Sequence, residues 1–141
     1  MPRMATLLVC EFGGNWVGLL RRQLVRSQVE VVVSKVEQRS ELERELARDP
    51  AGCIAIQADS EKPQDTLAWL HRVTKFYPGA FILVITPPFI PSWPFSEAGA
   101  SFVVSHVLQV PGAVRVIRRF IHQRPPIEKT TNSIWSTLPW S

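Results

Sequence analysis

Apolar runs of strand length alternate five times with segments whose apolar residues recur at helical spacing. The strands are expected at Ala5–Cys10, Val29–Val33, Cys53–Ile56, Phe81–Ile85 and Phe102–Ser105. Between them, Trp16, Leu20 and Leu24 repeat every four residues, with Leu19 alongside. A charged helix is expected over Glu37–Arg48, where Pro50 stops it, and another over Pro63–Phe76. Pro63 suits a first helical turn, since the N–H it lacks would find no partner there. The last helix runs over Pro111–His122, with Val114, Ile117 and Ile121 on one face. Gly13 and Gly14 punctuate the first strand–helix join.

The first, third and fourth strands are unbroken apolar runs, the pattern of parallel strands covered on both sides. Five such units in one chain of 141 residues predict a single doubly wound α/β domain. With the strands in the order 2-1-3-4-5, right-handed crossovers put helices 1 and 5 on one side of the sheet. The other helices take the opposite side. Residues 1–123 make this domain, and 124–141 a tail with Pro125-Pro126, Ser, Thr, Asn, Trp135 and Trp140. The tail is expected to be extended, without a core of its own.

Other classes fall away. The apolar fraction of 45% excludes wholesale disorder, and two cysteines make no disulfide framework. The short run Met4–Cys10 meets Glu11 at once and is not a signal peptide. The uncharged stretch Phe76 to Ser96 could span a bilayer by length. It holds Pro78, Pro87, Pro88, Pro91 and Pro94, and a lipid-exposed helix cannot leave so many backbone groups unpaired. A cytoplasmic protein with reduced thiols is expected.

The stretch Glu97–Phe120, EAGASFVVSHVLQVPGAVRVIRRF, resembles receiver domains of two-component response regulators. Those carry a similar Glu-Ala-Gly-Ala turn, a fifth strand ending Thr-Lys-Pro, and a last helix ending Ile-Arg-Arg-Leu. Thr86 after FILVI looks like the family's Thr or Ser, and WVGLLRRQL is similar to its first helix. The resemblance covers about residues 5–122 and implies a flavodoxin-like fold of five parallel strands.

The family's phosphorylation chemistry is not carried over. Receivers place an acidic pair after strand 1 to hold Mg²⁺, a hard cation that takes oxygen ligands. Here the pair is Glu11-Phe12. They place an Asp at the end of strand 3 as phosphoryl acceptor. Here CIAIQAD puts Gln57 there, and an amide has no anionic oxygen to act as nucleophile. The Lys after strand 5 is replaced by His106, and the aromatic switch position falls on Val103. The resemblance implies a pseudo-receiver that keeps the fold without the phosphoacceptor.

Two alternatives stay open at this point. If the third strand slips by two residues, its side chains keep their facing, and Asp59 joins Glu11 and Thr86 as an atypical phosphoacceptor site. A small-ligand sensor would instead use Glu11, Thr86 and His106 at the carboxyl edge of the sheet, where α/β proteins bind ligands. No metal site is legible in the spacing of Cys and His, and no Gly-rich phosphate loop or other cofactor motif is present. Cys10 and Cys53 are expected at opposite ends of neighbouring strands, buried and inert. His71 and His122 are expected on helix surfaces.

Charge and its absence point to partners. Arg21, Arg22 and Arg26 on helix 1, and Arg115, Arg118 and Arg119 on helix 5, have no acid among them. Those six exceed the whole chain's net charge of +4. An acidic protein surface, nucleic acid or anionic lipid would suit such a face. No exposed aromatics interleave with these arginines, which disfavours single-stranded nucleic acid. From Phe76 to Val114 the only formal charge is Glu97, and Phe89, Ile90, Trp93 and Phe95 fall in a Pro-rich loop. Pro91 and Pro94 leave room for only a shortened fourth helix, about one turn near Phe95–Ala98. The expected activity is protein–protein contact without enzymatic turnover, in bacterial signalling or regulation. Its contact residues are Phe89, Trp93, Phe95, Arg115, Arg118, Arg119, Trp135 and Trp140. The partner is another protein, or a second copy across the fourth-strand to fifth-helix face.

Overall fold

The computed structural model describes residues 5–123. The tail, with Trp135 and Trp140, lies outside the described residues. Five strands, β1 (Ala5–Cys10), β2 (Val31–Val36), β3 (Cys53–Gln57), β4 (Phe81–Ile85) and β5 (Phe102–Val104), form one parallel sheet in the order β2-β1-β3-β4-β5. The helices are α1 (Trp16–Arg26), α2 (Arg39–Arg48), α3 (Pro63–Phe76), α4 (Trp93–Glu97) and α5 (Val110–Gln123). This is the flavodoxin-like doubly wound fold expected from the apolar alternation.

Side-chain alternation along the strands divides the core into two layers. On one side Leu7, Val9, Val33, Ala55 and Leu83 meet Leu20 and Leu24 of α1 and Val114 and Ile117 of α5. On the other, Ile54, Ile56, Ile82 and Val84 meet Leu42 and Leu46 of α2, Trp69 and Leu70 of α3, and Phe95 of α4. Cys10 and Cys53 remain thiols and belong to opposite layers. All five residues of β4 are buried, which is why FILVI carries no polar residue.

The second strand starts later than expected. Val29 precedes it, because α1 ends in a Schellman motif. Gln28 takes the left-handed conformation (φ +59°), its N–H donates to Val25 O, and Val29 N–H donates to Leu24 O. Val29 is thus the buried apolar residue that closes the helix end, and pairing begins at Val31 opposite Ala5. At this sheet edge Val32 and Lys35 point to solvent, and an exposed Lys discourages further pairing. The second helix is also shorter at its start. Glu41 folds back to accept from the backbone N–H groups of Glu37 and Gln38, so the helix opens at Arg39.

α4 is one short turn of five residues. Phe95, expected as a contact residue, is fully buried in the isolated chain and therefore belongs to the core instead. Gly99 follows α4 with φ +113°, and a Cβ there would lie 2.7 Å from Thr74 Cγ2. Only glycine meets both demands, so the EAGA turn is fixed by backbone geometry. Among the described residues, no helix is long and apolar enough to cross a membrane.

Candidate functional site

The carboxyl ends of β1, β3, β4 and β5 bring the expected site residues to one edge of the sheet. Glu11 follows β1 and is buried. Its Oε1 accepts from Trp16 N–H at 2.8 Å and Val17 N–H at 3.4 Å. Those are donors of the first turn of α1, whose N-cap residue Asn15 makes no side-chain cap bond. Glu11 therefore caps α1 from upstream, with its charge at the positive end of the helix.

Gln57 is the last residue of β3, in register with Ile85. Its Oε1 accepts from Phe12 N–H at 2.6 Å and Gly13 N–H at 3.1 Å. The amide at the end of β3 thus ties down the loop that follows β1. A carboxamide suits the task because one oxygen offers two lone pairs to two donors.

The two-residue slip that would bring Asp59 into the strand is not adopted. Ala58 N–H donates to Ile85 O, and Asp59 lies beyond the strand. Its Oδ1 accepts from Glu61 N–H at 2.9 Å and Lys62 N–H at 3.3 Å. Asp59 thereby shapes the turn into α3, while its own N–H donates to Thr66 Oγ1.

Thr86 is buried beside the strand end, and its N–H donates to Val104 O at 2.8 Å. Its Oγ1 has no hydrogen-bond partner among the described residues. His106 is exposed, and its Nδ1 accepts from Leu108 N–H at 3.1 Å. Gln109 Oε1 accepts from Ser105 and His106 N–H, which completes a capping-box arrangement of hydrogen bonds on the short 3-10 turn Val107–Gln109.

A shallow depression of about 370 Å³ is lined by Phe12, Gly13, Gln57, Ala58, Asp59, Ser60 and Pro87. Glu11, Thr86 and His106, the trio expected for a ligand sensor, do not line it. Nor do the residues fit the Mg²⁺ that receivers hold. The carboxylate after β1 is turned to the α1 amides, and the group at the end of β3 is a neutral amide. Among the described residues, no three His, Cys, Asp or Glu side chains lie close enough to hold a metal ion.

The apolar surface is richer than expected. Phe89 and Trp93, in the loop after β4 and at the start of α4, are 75% and 67% exposed. Val107 and Leu108 stand exposed in the neighbouring loop after β5, and Phe12 in the loop after β1. Val107 and Leu108 follow β5 after only Ser105-His106, so in sequence they resemble a continuation of its apolar run. The arginines at 115, 118 and 119 are all exposed on α5. His71 and His122 lie on helix surfaces, as expected.

No protein-family model matches the chain, and no curated protein matches it. Solved structures do. The CheY-like protein TadZ from Pseudomonas aeruginosa is similar at 17% identity with a TM-score of 0.64, over 82% of this chain and 98% of that one. A response regulator from Thermotoga maritima is 13% identical with a TM-score of 0.64, over 86% of this chain and all of that one. An atypical orphan response regulator, described with a phosphorylation-independent regulatory mechanism, is 13% identical with a TM-score of 0.60. That match covers 82% of this chain and 96% of the other. These likenesses establish the CheY-like receiver fold.

Proposed function

We propose that the chain is a receiver-like protein–protein interaction module of bacterial signalling or regulation that works without phosphorylation. The observation that carries this reading is the Gln57 amide, bonded through Oε1 to Phe12 and Gly13 N–H where receivers keep the acceptor Asp. Glu11 is engaged in the same way with α1. These internal bonds engage both polar side chains with the backbone around the β1–α1 loop. The similar orphan regulator, described with a phosphorylation-independent mechanism, supports the same reading.

Contact with the partner falls to Phe89 and Trp93, with the α5 arginines Arg115, Arg118 and Arg119 extending it. Trp135 and Trp140 of the tail 124–141 are proposed as a second contact, in the manner of a short peptide motif. The partner is a protein, or a second copy across the face from β4 to α5, and the place of action is the cytoplasm. No turnover is involved.

Intact-mass measurement after incubation with a small phosphodonor and Mg²⁺ tests the central claim. The expected result is no phosphoryl adduct. An adduct lost in Asp59→Ala would instead establish the atypical phosphoacceptor. Pull-downs with the intact chain, a chain ending at Gln123, and Trp93→Ala test the contacts. Recovery of the same proteins by all three would eliminate both contact surfaces.

A further inference from the structure

α1 and α5 pack side by side on one layer of the core. Arg21, Arg22 and Arg26 on α1, and Arg115, Arg118 and Arg119 on α5, are all exposed. Neither helix holds an acidic residue. Among the described residues, none of these six guanidiniums takes part in an ion pair; the two ion pairs present, Arg48–Glu45 and Arg72–Glu43, involve α2 and α3. Arg21 Nη2 donates to Val33 O at 2.9 Å, which anchors that guanidinium between α1 and β2 while its charge stays at the surface. The helices have 11 and 14 residues, roughly 16 and 21 Å long, so the six charges spread over two adjacent helices.

We infer that this face docks on an anionic lipid surface. Charge complementarity demands an anionic partner, and a planar one can meet both helices at once. Beside the arginines stands Val25, 71% exposed. It suits the boundary between headgroups and acyl chains better than a phosphodiester backbone. Arginine fits lipid phosphates through its planar fork, and each basic residue near an anionic leaflet adds to the attraction. The α5 arginines are common to this face and the proposed protein contact; α4 packs on the other layer of the core, so Trp93→Ala probes the protein contact alone and the α1 arginines probe the lipid face alone.

The test is co-sedimentation of the full chain with vesicles of phosphatidylcholine plus phosphatidylserine, against vesicles of phosphatidylcholine alone. Binding is expected to the mixed vesicles only, and to weaken as salt rises. The variant Arg22→Gln, Arg26→Gln, Arg115→Gln, Arg119→Gln should bind more than about a hundredfold more weakly, at roughly fivefold per arginine. The same four sites changed to Lys should keep binding, and Trp93→Ala should bind like the parent. Circular dichroism checks that each variant is folded. Failure to bind the mixed vesicles overturns the inference. So does binding that survives the Gln variant, or tighter binding to duplex DNA at the same salt.

Discussion

Gln57 Oε1 accepts two hydrogen bonds from successive backbone groups, Phe12 N–H at 2.6 Å and Gly13 N–H at 3.1 Å, across a separation of more than forty residues. The end of β3 thereby fixes the loop that leaves β1. Gln57→Ala removes the acceptor and should cost about 1 kcal/mol, because the loop amides are solvent-accessible and water replaces part of the loss. Gln57→Glu keeps the reach and an acceptor oxygen, and should hold the loop. Hydrogen exchange at the Phe12 and Gly13 amides checks both: faster in the Ala variant, close to the parent in the Glu variant. Unchanged exchange in Gln57→Ala would remove the tether from the account.

Thr86 supplies a prediction of opposite sign. Its buried hydroxyl has no partner among the described residues, and an unsatisfied buried polar group costs about 1–3 kcal/mol. Thr86→Val replaces the hydroxyl with a methyl of similar size. The substitution should leave stability unchanged or raise it by about 1 kcal/mol, read by urea denaturation. A marked loss would mean that the hydroxyl has a partner in solution.

Phe95 and Trp93 are two residues apart and should behave oppositely. Phe95→Ala opens a cavity in the core beside α3 and should cost about 3–5 kcal/mol. Trp93 is 67% exposed, and Trp93→Ala should change stability by no more than about 0.5 kcal/mol while weakening partner capture. Equal losses of stability in the two variants would contradict the burial that separates them.

Most of the fold was legible because parallel strands buried on both faces leave continuous apolar runs, as in FILVI, with helical periods between them. Val29 misled because an apolar residue that closes a Schellman motif resembles the first residue of a strand. Phe95 misled because nothing local distinguishes an aromatic that caps the core from one that faces solvent; tertiary packing decides it. At the site, the residue types were legible and their engagements were not. Gln57 and Asp59 find their donors through the angles of loops, which no spacing encodes. The α1–α5 arginines were legible as a pair of helices without acids, and the strand order placed those helices together.

Gly99 is held by two constraints. Its φ of +113° is strained for any L side chain, and a Cβ there would meet Thr74 Cγ2 at 2.7 Å. Thr74 has little freedom to retreat, since its Oγ1 donates to Ala98 O at 3.1 Å. Gly99→Ala should therefore cost about 1–3 kcal/mol, measured by thermal or urea unfolding. Gly79, with open space around its Cα, is the control, and Gly79→Ala should cost much less.

Cys10 sets an alkaline limit on stability. The residue is buried at the end of β1, and burial pushes its thiol pKa up; the nearby Arg39 charge opposes this, and the Glu41 and Glu37 charges reinforce it. The folded state thus favours the protonated thiol more than the unfolded chain does. The corresponding stability is fully present below the ordinary thiol value of 9.0 and is lost as pH rises through the higher folded value. Unfolding free energy should fall above that point, and the fall should be smaller in Cys10→Ala, which has no thiol to ionise. Native-state alkylation at neutral pH should be slow at Cys10 and fast after unfolding, since only an accessible thiolate reacts. Rapid alkylation of Cys10 in the folded protein, or an alkaline fall identical in the Ala variant, would show that the strand end opens to solvent.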